Sequence, residues 1–390
     1  LFITKGTVIH STPIKRKDPL TGITVTQLSD DQGNTNHSYF TMPSIDKENK
    51  FVICNSDRSG TSQIYTLEIS TGTMVQITDE KEPTSSGCLD MEKNIVYYTA
   101  GRELKSVRLD TLETRTHLEI PEGFHAGLLS ITNDGRYIAF AYSENLNLIT
   151  QKGVIYSGMR ETMFRRPSSV IIRYDTYEEK AYAVWGENNW ISHVNISPVD
   201  PNIILFCHEG NWHLVQRLWI AKVETDEIYP LVEQKYNMER VGHEFFLEDG
   251  RVGAQYTIRH DINTHFFRDA HFGDVFVNPD GSGQQIYFYP YTRPMHVQMN
   301  HAMTMGAGDA AHIRKDMPDN RKYIGLNRYE DNKVKVGLLC RHDSTFNSQA
   351  THPHLIFTRD DKHIIFSSDF GKGNANVYLA EANWEKCIFE

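Results

Sequence analysis

The chain has little of what would place it in a membrane, in an oxidising compartment or on nucleic acid. No apolar run approaches the ~20 residues that span a bilayer, and the opening Leu-Phe-Ile-Thr-Lys-Gly is too short for a signal-peptide core. The five cysteines are scattered and odd in number, which argues against a disulfide framework. The formal net charge is −10, whereas nucleic-acid binding favours a basic surface. We therefore expect a cytoplasmic protein without a nucleic-acid or membrane partner.

Helical periodicity is also scarce, and short alternating strands take its place. Only residues 159–164 and 384–387 have the spacing of short helical turns. Elsewhere one pattern recurs, in which a turn with Asp or Asn and Gly or Lys leads into an alternating apolar strand. The recurring strand starts at residues 51, 94, 136, 202, 251, 302 and 363. These starts are separated by 43, 42, 66, 49, 51 and 61 residues, and short alternating strands with a period of roughly 40–50 residues are typical of propeller blades. The sequence predicts an all-β fold, a seven-bladed β-propeller in a single domain of residues 1–390.

The two ends of the chain carry complementary parts of one blade. The last repeat provides strands near residues 355–358, 363–367 and 376–380, but the chain stops before a fourth. Residues 18–29 have the alternation of an outer strand. We predict that this N-terminal strand closes the last blade, because two sheet edges would otherwise stay open.

Histidines recur in one register of the repeat, near the head of its first strand. The chain has 18 histidines, and those in this register are His37, His125, His193, His243, His296 and His354. First strands of propeller blades lie near the central channel, so these side chains are expected to converge there. The pattern favours metal binding and proton transfer. For any single histidine, a buried structural role is the alternative.

The segment from Gln349 to His354 has the residue types of a metal site. Side chains two apart in an extended segment point to the same face, so His352 and His354 are expected to aim at one point. The amide oxygen of Gln349 follows close behind. Imidazoles and an amide on one side of a short segment suit a first-row transition metal. The alternative is a pair of surface loop histidines.

A second group of polar residues surrounds one strand end. Cys207-His208-Glu209-Gly210 ends a repeated strand, and Arg217 begins the next apolar run. Guanidinium geometry suits bidentate binding of a carboxylate, so Arg217 is interpreted as a clamp for an acidic ligand. A solvated edge charge is the other interpretation. His208 and Glu209, together with His37 and His193, are the further candidates for substrate contact.

The order of these motifs resembles that of the oligogalacturonate lyases. The matching residues, in chain order, are Asn36-His37, Trp190-Ile-Ser-His193, Cys207-His208-Glu209-Gly210, Arg217-Leu-Trp, His243-Glu-Phe, Met-His296, Arg341-His-Asp and Gln349-x-x-His352-Pro-His354. That family consists of seven-bladed propeller enzymes that cleave short, pectin-derived uronate oligomers by β-elimination. The resemblance implies a manganese ion, with other divalent transition metals as alternatives, held by His296, Gln349, His352 and His354. It also implies that His243 is the base and that Arg217 assists it.

Several alternatives stay open at this point. Departures from the family pattern at residues 211–213 and 266–274 leave the uronate and its linkage open, so that a related acidic disaccharide is an alternative substrate. A non-catalytic propeller that binds sugar or protein would not need convergent metal ligands. A metal-dependent hydrolase or epimerase is a third class, although no paired-carboxylate motif supports a glycosidase. His193 and His208 are the next candidates for the base, and water or a tyrosine for the group that protonates the leaving oxygen.

Overall fold

The computed structural model describes residues 3–151, 154, 156–235, 239–258, 270–291, 293–313, 322–371 and 373–389. These fall into two compact units. The first comprises Leu1–Gly101, Lys105–Thr116 and Tyr289–Glu390, and the second comprises Arg102–Leu104 and His117–Phe288. The part of residues 266–274 that precedes residue 270 lies outside the described residues.

Strands make up nearly all of the regular structure, and they are short. The first eleven are β1 (Val8–Ile9), β2 (Ile14–Lys17), β3 (Thr24–Gln27), β4 (Thr35–His37), β5 (Phe51–Ser56), β6 (Gln63–Glu68), β7 (Met74–Gln76), β8 (Cys88–Asp90), β9 (Ile95–Ala100), β10 (Glu103–Arg108) and β11 (Thr114–Glu119). The next thirteen are β12 (Phe124–Ala126), β13 (Ser130–Ile131), β14 (Tyr137–Glu144), β15 (Ser168–Asp175), β16 (Lys180–Asn188), β17 (Ile191–Ile196), β18 (Ile203–His208), β19 (Leu218–Lys222), β20 (Glu227–Pro230), β21 (Arg240–Phe246), β22 (Val252–Ile258), β23 (His271–Val277) and β24 (Gln285–Phe288). The last seven are β25 (Val297–Met299), β26 (Gly306–Gly308), β27 (Tyr323–Glu330), β28 (Lys333–Arg341), β29 (Ile356–Phe357), β30 (His363–Ser368) and β31 (Asn376–Glu381).

Consecutive strands pair antiparallel and form repeated meanders. The orders are β1-β7-β6-β5-β4, β11-β10-β9-β8, β12-β14-β15-β16 and β17-β18-β19-β20. Strands β21 to β24 follow one another in the same way, as do β25 to β28. The predicted helical turns are present as the helix α1 (Met159–Arg165) and a 3₁₀ turn at Trp384–Lys386. None of the helices described has the length or apolar character to cross a bilayer.

The N-terminal strand joins the C-terminal sheet, as the sequence predicts. The order of that sheet is β2-β3-β31-β30-β29, and Val25, Thr26 and Gln27 pair with Ala380, Leu379 and Tyr378. Strand β31 thereby gains a hydrogen-bonded neighbour on its outer side, so its edge is covered.

One turn recurs between the first and second strands of the meanders. In it an aspartate carboxylate accepts a hydrogen bond from the backbone N–H two residues later, which is an Asx turn. The six aspartates are Asp46, Asp90, Asp134, Asp200, Asp249 and Asp360. Each turn leads into one of the recurring strands that the sequence predicts. The expected starts match the observed ones to within one residue, at β5, β9, β14, β18, β22 and β30 for residues 51, 94, 136, 202, 251 and 363.

The strand expected from residue 302 is the exception, because only Gly306–Gly308 is extended there. The Asn300 side-chain oxygen accepts hydrogen bonds from the backbone N–H groups of Thr304 and Met305, at 2.8 and 2.9 Å. These bonds hold the preceding residues in a turn, and the strand is shortened accordingly. The short β25–β26 hairpin is part of the site, because the candidate metal ligand His296 directly precedes β25.

Alternating apolar side chains from neighbouring sheets form the core within each unit. In the first unit, one cluster contains Val25, Leu326, Leu339, Phe357, Ile364 and Tyr378, all at most 3% exposed. In the second unit, clusters around Phe206 and around Val252 have the same character. The sheets are thus fixed by packing on their faces, and the strand ends are left to carry polar side chains.

Candidate functional site

The histidine register expected from the sequence is present at one edge of six meanders. His37, His125, His193 and His243 lie in β4, β12, β17 and β21, while His296 and His354 lie one and two residues ahead of β25 and β29. Each of these is the first strand of its meander and lies at its edge. His125 departs from the expected role, because it is exposed and contacts only Asn145 in the described hydrogen bonds, with Nδ1 to Oδ1 at 2.8 Å.

Three of the four predicted metal ligands meet in the first unit. One ligand nitrogen from each of His296, His352 and His354 lies within 4.8 Å of the others, and all three residues are buried. The ring centroids of His296 and His354 are 4.5 Å apart, and those of His352 and His354 are 5.4 Å apart. Such a cluster of imidazole nitrogens has the spacing of ligands around a single ion.

The donor chemistry of this cluster fits a transition metal. Nδ1 of His352 is buried and has no hydrogen-bond partner among the described residues. Burial, and then the neighbouring His296, lower the pKa of His352 to about 4, so the ring is neutral at neutral pH. A neutral imidazole with an unused lone pair is the form that binds metals. His352 therefore has the protonation state and the open nitrogen that a metal ligand needs.

Gln349 lies beside the cluster in the chain, at the start of a 3₁₀ turn of Gln349–Thr351. Its side chain is exposed, and the turn ends at His352, whose backbone N–H donates to the Gln349 carbonyl at 3.2 Å. A contact between its amide oxygen and the histidine cluster stays a prediction.

The two histidines of the His-Pro-His segment meet although the segment is not a regular strand. The segment precedes β29, and His354 has a left-handed backbone with φ of 46°. This conformation is uncommon for residues other than glycine, so His354 departs from regular strand geometry. His37 is hydrogen-bonded to this segment, since its Nε2 donates to the Pro353 carbonyl at 3.1 Å.

Aromatic side chains surround the three histidines. Tyr39 meets His354 edge-on with ring centroids 4.8 Å apart, Phe40 lies 5.7 Å from His296, and Phe346 lies 5.2 Å from His352. The three aromatic rings thus pack directly against the imidazoles. None of these aromatic contacts follows from the sequence pattern, because each joins residues far apart in the chain or across an irregular turn.

In the second unit, the predicted base His243 has a defined orientation. Its Nδ1 lies 2.9 Å from the Gln255 amide oxygen, so Nδ1 donates its proton there, and Nε2 carries the lone pair whenever the ring is neutral. The Trp212 ring meets the imidazole edge-on, at 4.8 Å between centroids. A neutral imidazole with its lone pair on a defined nitrogen can accept a proton.

The backbone around His243 is irregular in a way that serves this orientation. His243 has φ of 49°, and a bulge interrupts the β21–β22 pairing between Gly242 and Phe245. A Cβ at residue 242 would lie 2.7 Å from the Trp212 ring, so a side chain there would displace Trp212. Bulges redirect side chains next to functional sites, and a second bulge occurs at His193, between Ile191 and Val194.

Arg217 is at the centre of a buried charge network. Its side chain is 1% exposed; Nη1 donates to Glu209 Oε1 at 2.7 Å and Nε donates to Glu244 Oε2 at 3.2 Å. His193 Nδ1 donates to the other oxygen of Glu244 at 3.0 Å. The guanidinium also lies over Trp212, 5.1 Å from the ring centre. Arg217 thus reaches the ring that contacts His243, but its own donors face protein carboxylates.

The charges in this network are fixed by their mutual contacts. Burial alone would raise the pKa of Glu244, but Arg217 and His193 outweigh burial and hold that pKa well below its usual range. The same balance lowers the pKa of Glu209, whose Oε2 also accepts from Ser192 at 2.7 Å. Both carboxylates are therefore ionised at neutral pH.

His193, Cys207 and Glu244 have ligand atoms within 4.8 Å of one another, but Arg217 already supplies the positive charge there. Burial raises the pKa of the Cys207 thiol, so the thiolate that binds metals is disfavoured. This cluster is better explained as an ion-pair network than as a metal site.

The other predicted substrate contacts are engaged within the protein. His37 is 1% and Glu209 is 9% exposed, so any effect of these two on a substrate would be indirect. His208 is partly buried, with Nε2 at 2.6 Å from Glu187 Oε1 and its ring 5.0 Å from that of Trp219. Partly exposed His193 and His208 can still offer one ring edge to a ligand.

Sequence reasoning missed several residues that this geometry makes prominent. Asp309 accepts from His296, Gln255 orients His243, and Trp212 separates His243 from Arg217. Glu244 carried a signal, since it directly follows His243 in the His-Glu-Phe motif. The other three had none, because their roles arise from strand pairing and loop packing.

Repeated antiparallel meanders with histidines in or next to their first strands define a propeller-like β protein with a histidine-rich site. A sequence model of the oligogalacturonate lyase family matches residues 3–384, so the chain belongs to the oligogalacturonate lyase family. Oligogalacturonide lyase of Pectobacterium atrosepticum is 25% identical over 397 residues, covering 97% of this chain and 98% of the relative. Oligogalacturonate lyase of Dickeya dadantii is 25% identical over 386 residues, covering 94% and 95%.

A solved structure has the same fold over nearly the whole length. An oligogalacturonate lyase in complex with manganese superposes with a TM-score of 0.85 at 22% identity, covering 98% of this chain and 100% of that one. The chain therefore has the propeller-like fold of that lyase.

Proposed function

We propose that this protein is a divalent-metal-dependent lyase that cleaves short 4-linked uronate oligomers, oligogalacturonate first, by β-elimination to 4,5-unsaturated products. The observation that carries the proposal is the meeting of His296, His352 and His354 in a chain that matches the family over residues 3–384. Enzymes of that name from two bacteria are similar over nearly their full length.

The metal that we propose is manganese, held by His296, His352, His354 and Gln349. The similar structure is a manganese complex, and imidazole with amide oxygen is compatible with that ion. A bound divalent ion would stabilise the negative charge that develops on a uronate carboxylate when the neighbouring carbon loses its proton. Since the donor set is neutral, the residues hold the ion without reducing its charge.

We propose His243 as the base that removes the C5 proton. Its Nδ1–H is fixed on Gln255 Oε1, so Nε2 would accept the proton. The electrons of the C5–H bond would form the C4–C5 double bond, and the C4–oxygen bond would break. The departing oxygen would take up a proton, for which water or a tyrosine is the candidate donor. A positioned imidazole typically contributes ~10²–10⁴-fold to such a step. Arg217 would assist through Trp212 and Glu244, by keeping the surroundings of His243 in place, and His193 and His208 are the proposed substrate contacts.

We also propose that residues 1–390 form one seven-bladed propeller domain whose last blade is closed by β3. The repeated Asx turn and the pairing of β3 with β31 support this arrangement. A cytoplasmic location is proposed as well, and it is supported by five buried, unpaired cysteines. Cell fractionation with an antibody to the protein would test the location.

The function is tested by offering purified protein a panel of substrates with and without metal. Protein stripped by chelator and reloaded with manganese should form a conjugated, ultraviolet-absorbing product from digalacturonate and trigalacturonate. The same preparation without metal is the matched control and should be inactive. We expect faster cleavage of the dimer than of polygalacturonate.

Two outcomes would change the proposal. Activity confined to glucuronate-containing disaccharides would assign the enzyme to a related acidic sugar. Manganese binding without product from any uronate would contradict the lyase function and leave a binding module.

A further inference from the structure

Asp309 is fully buried beside the histidine cluster, and it contacts His296 at both the backbone and the ring. Its Oδ1 accepts from the backbone N–H of Met295 at 2.9 Å and of His296 at 2.8 Å. Its Oδ2 lies 2.6 Å from Nδ1 of the His296 imidazole. Asp309 is 0% exposed, and His342 also lies close enough to interact with its charge. One side chain thus fixes both the position and the rotation of the ring.

The β25–β26 hairpin places these two residues opposite each other. Val297 pairs with Gly308, and His296 and Asp309 extend the hairpin by one residue on each side. The backbone N–H of Asp309 donates to the His296 carbonyl at 3.3 Å. A Cβ at residue 308 would lie 2.3 Å from the Pro294 side chain, so glycine is required where the hairpin packs against Pro294. The contact is therefore built into the hairpin.

We propose that Asp309 is a positioning residue that holds His296 in the tautomer with its proton on Nδ1, so that the Nε2 lone pair serves the metal. This inference rests on the proposed metal site, and it adds a residue that is not itself a ligand. A carboxylate cannot donate when ionised, so the 2.6 Å contact requires a proton on Nδ1. Carboxylate partners of this kind orient metal-binding histidines and raise their basicity.

The geometry also predicts what the closest replacement would do. In Asp309→Asn the two backbone N–H groups still need an acceptor, so the amide oxygen would take the place of Oδ1. The amide NH₂ would then face Nδ1 of His296, which would have to accept a hydrogen bond. The ring proton would move to Nε2, the nitrogen needed by the metal. The variant keeps the shape of the side chain but selects the wrong tautomer.

The first test reads the tautomer directly in metal-free protein. Long-range ¹H–¹⁵N NMR spectra of the histidine rings, with the His296 signals assigned by their loss in His296→Gln, should show the proton on Nδ1. In Asp309→Asn the proton should be on Nε2. A merely structural role for Asp309 would not move this proton. A wild-type spectrum with the proton on Nε2 would overturn the proposal, even if the variant did not fold.

The second test measures manganese affinity by calorimetry or by the electron paramagnetic resonance of free ion. Asp309→Asn should weaken binding by ~10–100-fold. The matched control is Asp361→Asn, since Asp361 accepts hydrogen bonds from the backbone N–H groups of His301 and Ala302 at 2.8 and 2.9 Å and from the Asn300 side chain at 3.0 Å, and none of these partners is a proposed ligand. This control should bind manganese like the wild type.

Affinity of Asp309→Asn within about threefold of wild type would contradict the inference, as would a wild-type protein that binds no manganese. Manganese binding with the expected tautomer but no cleavage of uronates would contradict only the proposed function.

Discussion

Replacing Arg217 by leucine should destabilise the protein severely. The guanidinium is 1% exposed and contacts Glu209 at 2.7 Å and Glu244 at 3.2 Å. At an effective dielectric constant of about 20, each contact is worth on the order of 5 kcal/mol before desolvation offsets much of it. Removing the cation leaves two buried carboxylates unpaired, for which a loss of ~3–5 kcal/mol is expected.

The pH dependence of this loss has a definite sign. In the wild type the pKa of Glu244 is depressed, so its stabilising contribution is present above the unfolded pKa of about 4.5 and is lost as the pH falls through the folded value. Without Arg217, burial raises the pKa of both carboxyls, and each can relieve its charge by taking up a proton. The difference in free energy of unfolding between the variant and the wild type should therefore be largest near neutral pH and should become smaller as the pH falls.

The assay is urea unfolding of both proteins at neutral and at mildly acidic pH. Arg102→Leu is the control, because the exposed Arg102–Glu119 pair should be worth at most ~1 kcal/mol. The triple variant Arg217→Leu, Glu209→Gln, Glu244→Gln removes all three charges and should recover at least half of the loss. A single variant that loses less than about 1 kcal/mol, or a triple variant no better than the single one, would refute the reasoning.

Three further predictions concern the base, the metal and acid stability. His243→Ala should lower kcat by at least ~100-fold with metal content unchanged by mass spectrometry, and retained activity would place the base elsewhere. His352→Ala should lose manganese, while His125→Ala, which changes an exposed histidine, should keep it; equal metal content would remove His352 from the ligands. Burial lowers the pKa of His37 and of His342 to about 4. As the pH falls from 6.5 to 4, the unfolded chain therefore binds protons on these histidines before the folded protein does. Each histidine should thereby lower the free energy of unfolding by up to ~3 kcal/mol over that range. His342→Gln should weaken that dependence in acid unfolding, and an unchanged slope would contradict the assignment.

The repeated units of the fold were accessible from the sequence because their signals are local. An Asx turn needs only an aspartate followed by a free N–H two residues on, and β14 and β30 each follow such a turn. The pairing of β3 with β31 was also predictable, since an incomplete last repeat and an unassigned first strand complement each other. The short strand at Gly306–Gly308 was missed because the Asn300 side chain competes for the backbone.

The site was predictable in its residue types and less so in its geometry. His352 and His354 were expected to converge through strand alternation; their ligand nitrogens do meet, but His354 lies ahead of β29 and has a left-handed backbone. Arg217 was expected to face a ligand, but it is buried between Glu209 and Glu244. This environment depends on the packing of β17, β18, β19 and β21, which the sequence pattern does not specify. Such contacts depend on the tertiary packing of several meanders, and no local pattern encodes that packing.

The hydrogen-bond partners of His296 and His243 suit two different roles. Each imidazole holds a proton on Nδ1, but His296 faces the carboxylate of Asp309 and His243 faces the neutral amide of Gln255. A carboxylate makes the opposite nitrogen a better donor to a cation, which suits a metal ligand. A neutral amide fixes the tautomer without adding a negative charge near the proposed acidic substrate, which suits a base. The nearby carboxylate of Glu244 does not disturb this arrangement, because Arg217 and His193 contact its two oxygens. Arg217 thus contributes to the proposed chemistry by neutralising buried carboxylates as well as by holding Trp212 in place.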